Sequence, residues 1–188
     1  KGYLNRKTLS VAEIGEAIRF VKAIRPEVYV VVDNCYGEFV ETVEPCSVGA
    51  DLVIGSVLIP GGSTPKLVRR EHLKLMKKGA VIVDIAIDQG GCCESSHTTT
   101  HDNPVFIEEG VVHYCVGNMP GAVPRTSTVA LGNTTIGHAL NIAKYGLEEA
   151  CRRDVHLANG LNIYCGKCVN KNVADSLQLD YVPVAEAL

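Results

Sequence analysis

The sequence lacks an excess of charge of either sign. Its 18 Lys and Arg residues stand against 21 Asp and Glu residues, so the formal net charge is −3. This balance argues against a general nucleic-acid binder, which would carry a basic surplus. The sequence also lacks a run of about 18 apolar residues, so it predicts no membrane-spanning helix.

The amino terminus has neither an initiator methionine nor the apolar stretch of a signal peptide. The missing methionine predicts that the chain is a fragment, a processed product or an engineered one. The missing signal peptide favours a cytoplasmic location with reduced thiols. Its 188 residues, 46% hydrophobic and 21% charged, suit one ordered domain with an appendage.

Cysteine occurs eight times, but the pattern of a zinc finger is missing. Cys165 and Cys168 form one CxxC pair, and no second pair or paired histidine follows at zinc-finger spacing. The adjacent Cys92 and Cys93 are too close in sequence for an ordinary disulfide, and we interpret them as loop thiols. The two histidines of residues 96–102 could be metal ligands or ligand contacts, but they have no second cluster. We therefore predict no metal site.

Apolar runs and amphipathic stretches alternate along the chain. Buried strands are predicted at residues 28–33, 51–55, 80–87, 105–107 and 111–116. Helices are predicted at residues 10–24, 65–78, 127–144, 147–153 and 170–177. This alternation predicts an α/β fold with three layers and a Rossmann-like, mainly parallel sheet, followed by C-terminal helices. We expect the four longer strands to lie in the sheet in chain order.

Several predicted helix ends carry recognisable signals. Ser10 and Glu13 have the spacing of a capping box at the start of the first helix. Thr64 and Pro65 resemble an N-cap with proline at the first helical position, and Gly79 is a plausible stop.

Polar side chains follow the predicted strands where each strand ends. In an open parallel sheet the ligand lies beyond the carboxyl ends of the strands, which here carry Asp33, Ser56, Asp88 and Asn118. Glycine pairs in the following loops favour a binding crevice at this edge, although tight turns also need glycine. Asp88 is the strongest candidate: it could hold a ribose hydroxyl, orient an ammonium group or transfer a proton. The alternative is a turn or N-cap aspartate.

Four stretches carry a resemblance to a known family. They are residues 51–67 (DLVIGSVLIPGGSTPKL), 81–91 (VIVDIAIDQGG), 96–102 (SHTTTHD) and 111–127 (VVHYCVGNMPGAVPRTS). From about residue 51 to residue 188 the chain resembles the C-terminal part of L-alanine dehydrogenase. The resemblance implies a partial NAD-binding domain over residues 51–126 and a helical part of the catalytic domain over residues 127–188.

The same resemblance implies an activity and site residues. The family oxidatively deaminates L-alanine to pyruvate and ammonia with NAD, and it is usually hexameric, so a homo-oligomer is expected. Asp88 is implied to be catalytic. The implied cofactor-binding residues are Val57, Leu58, Ile85, Ala86, Ile87, Asp88, His97, Val116, Gly117, Asn118 and Met119. Val57 and Leu58 would line the adenosine side, and the segments around Asp88 and Asn118 would approach the nicotinamide.

Departures from the family pattern weaken the expected binding. Residues 1–50 contain no G-x-G-x-x-G turn after a strand and no downstream acidic residue to hold the adenosine ribose. The family's substrate-binding Arg and Lys and its catalytic His have no counterpart here. We therefore expect weak NAD binding and no activity from this partial chain alone.

Residues 1–50 instead resemble the aluminium-resistance-type pyridoxal-phosphate proteins, which are related to methionine gamma-lyase. Residues 1–3, 30–41 (VVVDNCYGEFVE) and 48–52 carry this resemblance. It implies that Asp33 matches the aspartate that pairs with the pyridinium nitrogen. No lysine stands at the expected place soon after Ser56, so we do not expect covalent attachment of pyridoxal phosphate. The chain thus resembles a fusion joined near residues 50–56. Alternative interpretations are a non-catalytic or engineered chimeric domain, or a pyridoxal-phosphate lyase-like protein.

Overall fold

The structure is a computed structural model that describes residues 9–33 and 45–188. It divides into two compact units. The first consists of the described part of Lys1–Leu58 with Thr64–Gly117, and the second of Ile59–Ser63 with Asn118–Leu188. Residues 1–3 and the polar turn predicted after Asp33 lie outside the described residues.

Five strands of the first unit form one mostly parallel sheet. They are β1 (Val31–Asp33), β2 (Leu52–Gly55), β3 (Val81–Asp84), β4 (Val105–Glu108) and β5 (Val111–Tyr114). Their spatial order is β1-β2-β3-β5-β4, and only β4 runs antiparallel to its neighbour. The predicted Rossmann-like α/β fold, with its four main strands in chain order, is therefore confirmed.

Four of the five strands are shorter than predicted, and β3 ends at a buried polar group. The third was expected over residues 80–87, but β3 stops at Asp84 and a 3-10 helix, Ile85–Gln89, follows. The Asp84 carboxylate accepts hydrogen bonds from the backbone N–H groups of Cys92 and Cys93, which returns the chain over the strand end. Gly90 and Gly91 make the return turn possible, because both have a positive φ, of 98° and 77°.

The first helix, α1 (Val11–Ile24), begins as predicted. The Ser10 hydroxyl accepts the Glu13 N–H at 3.2 Å, and Glu13 accepts the Ser10 N–H at 2.8 Å. This reciprocal pair is a complete capping box. Lys22 near the end of α1 contacts Asp51 at the start of β2, with Nζ and Oδ2 2.7 Å apart, so α1 is tied to the sheet.

The predicted helix over residues 65–78 is wrong for most of its length. Only α2 (Arg70–Leu73) is helical. Residues 64–68 are held by the loop after β3 instead: the Thr64 N–H donates to the Gln89 carbonyl, and the Leu67 N–H donates to the Cys92 carbonyl. Backbone pairing with this loop takes the hydrogen bonds that a helix would have formed internally.

The core of the first unit lies between β3, β5 and this loop. Its buried members are Leu67, Leu73, Met76, Ala80, Ile82, Ala86, Cys92, Cys93 and Val111. The thiols of Cys92 and Cys93, predicted to be loop thiols, belong to a loop but are buried, each about 1% exposed.

The second unit is mainly helical. It contains α3 (Pro124–Tyr145), α4 (Leu147–Arg153), α5 (Val155–Asn159), the hairpin of β6 (Ile163–Tyr164) and β7 (Lys167–Cys168), α6 (Lys171–Leu177) and α7 (Val184–Ala187). The predicted helices over residues 127–144, 147–153 and 170–177 are recovered, and α3 starts earlier because Pro124 takes the first helical position. No residue of α3 is buried.

Candidate cofactor site at the strand ends

Asp84 organises the carboxyl end of β3. Its side chain is fully buried, and its Oδ2 accepts hydrogen bonds from Cys92 N at 2.8 Å, Cys93 N at 3.3 Å and Ser96 Oγ at 2.6 Å. Its Oδ1 accepts the thiol of Cys92 at 3.3 Å. Four donors thus satisfy a carboxylate that would otherwise be costly to bury. Asp84 therefore fixes where β3 ends and where the next turn begins.

Asp88 lies in that next turn and faces outward. It belongs to the 3-10 helix Ile85–Gln89, whose Ala86 and Ile87 side chains are buried, while Asp88 itself is exposed. A Cβ on Gly117 would lie 3.5 Å from Asp88 Oδ1 and 3.2 Å from Thr98 Cγ2. The turn after β3 and the segment after β5 therefore meet at Asp88, and a side chain at Gly117 would lie against Thr98 and in contact with the carboxylate.

A third strand end contributes through the loop after β2. Val57 is half-buried against the core, whereas Leu58 is 67% exposed. Further along, the Thr64 N–H donates to the Gln89 carbonyl at 2.9 Å, which places Thr64 beside the Asp88 turn. Thr64 is buried, and its hydroxyl has no hydrogen-bond partner among the described residues. The hydroxyl is buried, so it is not open to a ligand at this edge.

The implied cofactor residues are not all equally available. Ile85 is 46% exposed, but the side chains of Ala86, Ile87 and Val116 are buried, so these three would meet a ligand through their backbone. Asn118 and Met119 belong to the second unit, where Asn118 has a positive φ of 52° and precedes the 3-10 helix Met119–Ala122.

His97 is held by aromatic stacking. Its ring stacks on Phe106 with centroids 3.9 Å apart, and Phe106 stacks in turn on His113 at 4.7 Å. His113 is fully buried between Ser95, whose Oγ lies 2.8 Å from Nε2, and the Val111 carbonyl, 3.0 Å from Nδ1. Burial lowers the pKa of His113, which favours the neutral ring.

A second buried carboxylate lies at the opposite ends of the strands. Asp51, at the start of β2, accepts Lys22 Nζ at 2.7 Å, Lys77 Nζ at 2.6 Å and Val30 N at 2.9 Å. Burial alone would raise the pKa of Asp51, but the bonds from Lys22 and Lys77 outweigh it and hold the pKa far below its ordinary range. Asp51 thus joins the first helix, the first strand and the core.

Sequence reasoning missed Asp84, Ser96, His113 and Thr64. A signal for Asp84 was present: an aspartate inside an apolar strand must be paired when buried. His113 carried a similar signal within the apolar run of β5. The local sequence predicts Thr64 to be a helix N-cap and does not reveal its burial, which depends on a loop 25 residues further along the chain.

These observations define a class of protein: a Rossmann-like α/β domain with polar and glycine-rich turns at the carboxyl edge of a mostly parallel sheet. Residues 20–171 match the family described as "Alanine dehydrogenase/PNT, C-terminal domain". The chain belongs to this family. The match extends over residues 20–50 as well. The resemblance of those residues to a pyridoxal-phosphate protein, and the fusion that it implies, stay predictions.

Relatives with known names agree with this assignment. Alanine dehydrogenase 2 of Staphylococcus aureus, in strains USA300 and MRSA252, is 54% identical over 140 residues, which is 74% of this chain and 38% of the relative. A solved L-alanine dehydrogenase is 37% identical with a TM-score of 0.60, over 87% of this chain and 49% of that one. This chain thus spans less than half the length of these relatives. None of the helices in the described ranges is long and apolar enough to cross a membrane.

Proposed function

We propose that the first unit is the nicotinamide half of an NAD-binding site of an alanine dehydrogenase. The observation that carries this proposal is the position of Asp88 on an exposed turn, beside Gly117, in a chain of the alanine dehydrogenase/PNT family. In the complete enzyme, the activity would be the NAD-dependent oxidative deamination of L-alanine to pyruvate and ammonia. The bound NAD would supply the hydride acceptor.

The residues at the strand ends suit the nicotinamide end of the dinucleotide better than its other end. Asp88 would accept a hydrogen bond from a ribose hydroxyl or orient a proton donor near the reacting carbon. Leu58 offers an exposed apolar surface after the neighbouring strand β2. The sequence contains no G-x-G-x-x-G turn, which elsewhere holds the pyrophosphate at a helix N-terminus. We therefore expect weak binding of NADH and no turnover of alanine by these 188 residues alone.

Fluorescence titration with NADH tests the proposal directly. The chain has no tryptophan, so its own emission interferes little. We expect a saturable enhancement of NADH fluorescence. The affinity for NADH should fall roughly tenfold to hundredfold in Asp88→Ala, since a charge-assisted hydrogen bond contributes about 1.5–3 kcal/mol. Alanine or pyruvate is added afterwards to test for turnover.

Asp175→Ala is the matched control for this titration. It removes an exposed carboxylate whose ion pair with Lys171 lies on the surface of α6. It should leave NADH binding unchanged. A flat titration from a folded chain, or equal binding by Asp88→Ala and the parent protein, would contradict the proposal.

A non-catalytic α/β domain is the second candidate. The missing glycine-rich turn and the buried side chains of Ala86, Ile87 and Val116 favour it. A flat NADH titration would support it. A pyridoxal-phosphate site remains the least favoured, because the Nζ of Lys66, the first lysine after Ser56, is hydrogen-bonded to the Gly90 and Gly91 carbonyls.

A further inference from the structure

A buried group of sulfur and oxygen atoms lies behind the Asp88 turn. One carboxylate oxygen of Asp84 and the sulfurs of Cys92 and Cys93 all lie within 4.8 Å of one another. All three residues are buried, and both cysteines are free thiols. Nothing in the proposed cofactor chemistry uses these thiols.

We propose that Asp84, Cys92 and Cys93 form a binding site for a thiophilic divalent cation, with Zn²⁺ as the physiological candidate. Thiolate and carboxylate are both ordinary zinc ligands, with Zn–S distances of about 2.3 Å and Zn–O distances of about 2.0–2.2 Å. In a tetrahedral site such ligands stand roughly 3.5–3.8 Å from each other. Cys92 Sγ and Asp84 Oδ1 are already 3.3 Å apart, and the three ligand atoms all lie within 4.8 Å of one another.

The hydrogen bonds of Asp84 leave one oxygen directed at the thiols. Oδ2 is occupied by Ser96 Oγ at 2.6 Å and by the N–H groups of Cys92 and Cys93. Oδ1 accepts only the Cys92 thiol, at 3.3 Å, among the hydrogen bonds described for it. The thiol proton therefore occupies the position between sulfur and oxygen that a bridging cation would take. The three donors on Oδ2 already orient the carboxylate, as outer-shell partners do in metal sites.

Gly55 at the end of β2 makes room for the sulfur. A Cβ at this position would lie 2.6 Å from Cys92 Sγ, closer than side chains tolerate. The strand end is thus shaped around the thiol. Binding of Zn²⁺ would replace the two thiol protons, which leave to solvent, so the site would hold one cation, two thiolates and one carboxylate.

Spectroscopic titration with Cd²⁺ as a Zn²⁺ analogue tests this site. The background is the Cys165→Ser/Cys168→Ser protein, because the CxxC pair of the β6–β7 hairpin could bind the same ions. We expect one equivalent of cadmium–thiolate charge-transfer absorbance. That absorbance should be lost in Cys92→Ser and in Cys93→Ser, and Zn²⁺ should displace it.

Two further variants separate ligand loss from structural damage. Cys151→Ser, in the second unit, removes another buried thiol and should leave the absorbance unchanged. Ser96→Ala keeps all three ligands but removes a donor to Asp84, and it should weaken binding by about 10- to 100-fold. Circular dichroism confirms that each variant is folded.

X-ray absorption spectroscopy on the Cys165→Ser/Cys168→Ser protein with one equivalent of Zn²⁺ leaves all three proposed ligands in place, so its result does not depend on how a ligand variant folds. At least two sulfur neighbours at about 2.3 Å and one oxygen neighbour are expected once the CxxC pair is replaced. The proposal is overturned if the zinc shell in that protein holds fewer than two sulfurs, or if folded Cys92→Ser and Cys93→Ser bind Cd²⁺ as the background does. NADH titration reads the Asp88 turn separately, so failure of either proposal is recognisable on its own.

Discussion

Replacement of Asp51 by asparagine is the sharpest test of how the first helix is joined to the sheet. The carboxylate is 8% exposed and holds two ammonium groups and one backbone N–H. Asparagine keeps the shape, and its oxygen can still accept the Val30 N–H. The loss is therefore confined to the charged interactions with Lys22 and Lys77.

The size of the expected loss in stability follows from the exposure of Lys22 and Lys77. Removing one member of a fully buried pair costs about 3–5 kcal/mol, because the other charge is left without compensation. Here the Lys22 and Lys77 side chains are 24% and 58% exposed, so both ammonium groups can regain water. We expect a loss of about 2–3 kcal/mol in the free energy of unfolding. For a chain of this size that corresponds to a fall in Tm of about 4–12 °C.

The pH dependence gives a second readout. The folded pKa of Asp51 is far below its unfolded value of about 3.9, so its contribution is fully present above about pH 5 and is lost as the pH falls below that. The difference between parent and Asp51→Asn, measured by urea unfolding at pH 7 and pH 4, should therefore shrink at pH 4. Asp175→Asn, at an exposed pair, should change stability by at most about 1 kcal/mol. A difference below about 0.5 kcal/mol at pH 7 would refute the reasoning.

Four other outcomes can be checked with standard assays. Leu73→Ala, at a fully buried core position, should lower the free energy of unfolding by about 2–5 kcal/mol in urea, and a smaller loss would mean that the core is loosely packed. Gly91→Ala should cost about 1–3 kcal/mol, because φ is 77° and the new Cβ would lie 2.9 Å from Asp84 Oδ2; a neutral effect would argue against this turn. The lowered pKa of His113 means that stability should fall as the pH drops below about 6.5, and His113→Gln should flatten that limb of a pH–Tm profile; an unchanged slope would contradict it. Light scattering after size exclusion should show a species larger than a monomer, since α3 exposes Val129, Leu131, Ile136 and Leu140 by 55–65%, and a monomeric mass would count against this.

The sheet could be predicted because its signals are local. Continuous β-branched runs indicated the parallel strands, and the Ser10–Glu13 spacing indicated the start of α1. The prediction of a helix over residues 65–78 was wrong because a non-local interaction decides the structure there. Its capping and stop signals were genuine in isolation, but pairing of residues 64–68 with the loop at Gln89 and Cys92 replaced the helical hydrogen bonds. The helix propensities of the local residues do not report such a competition between distant segments.

The site was only partly predictable for the same reason. Asp88 was singled out because it follows an apolar run, and the structure places it on an exposed turn beside Gly117. The apolar run predicts one strand that reaches residue 87, which would place Asp84 inside the strand. Its true role depends on donors at positions 92, 93 and 96, which the pattern of apolar residues does not reveal.

The two aspartates at this strand end therefore have separate but dependent tasks. Asp84 ends β3, and the 3-10 helix begins at the next residue, so Ala86 and Ile87 turn inward and Asp88 turns outward. A change at Asp84 must then disturb the Asp88 turn as well as the proposed cation site, whereas a change at Asp88 should leave the buried thiols in place. Loss of NADH binding in Asp84→Asn would consequently say little about contact with the cofactor. Retention of one equivalent of Cd²⁺ by Asp88→Ala would show that the exposed and buried carboxylates act on different ligands.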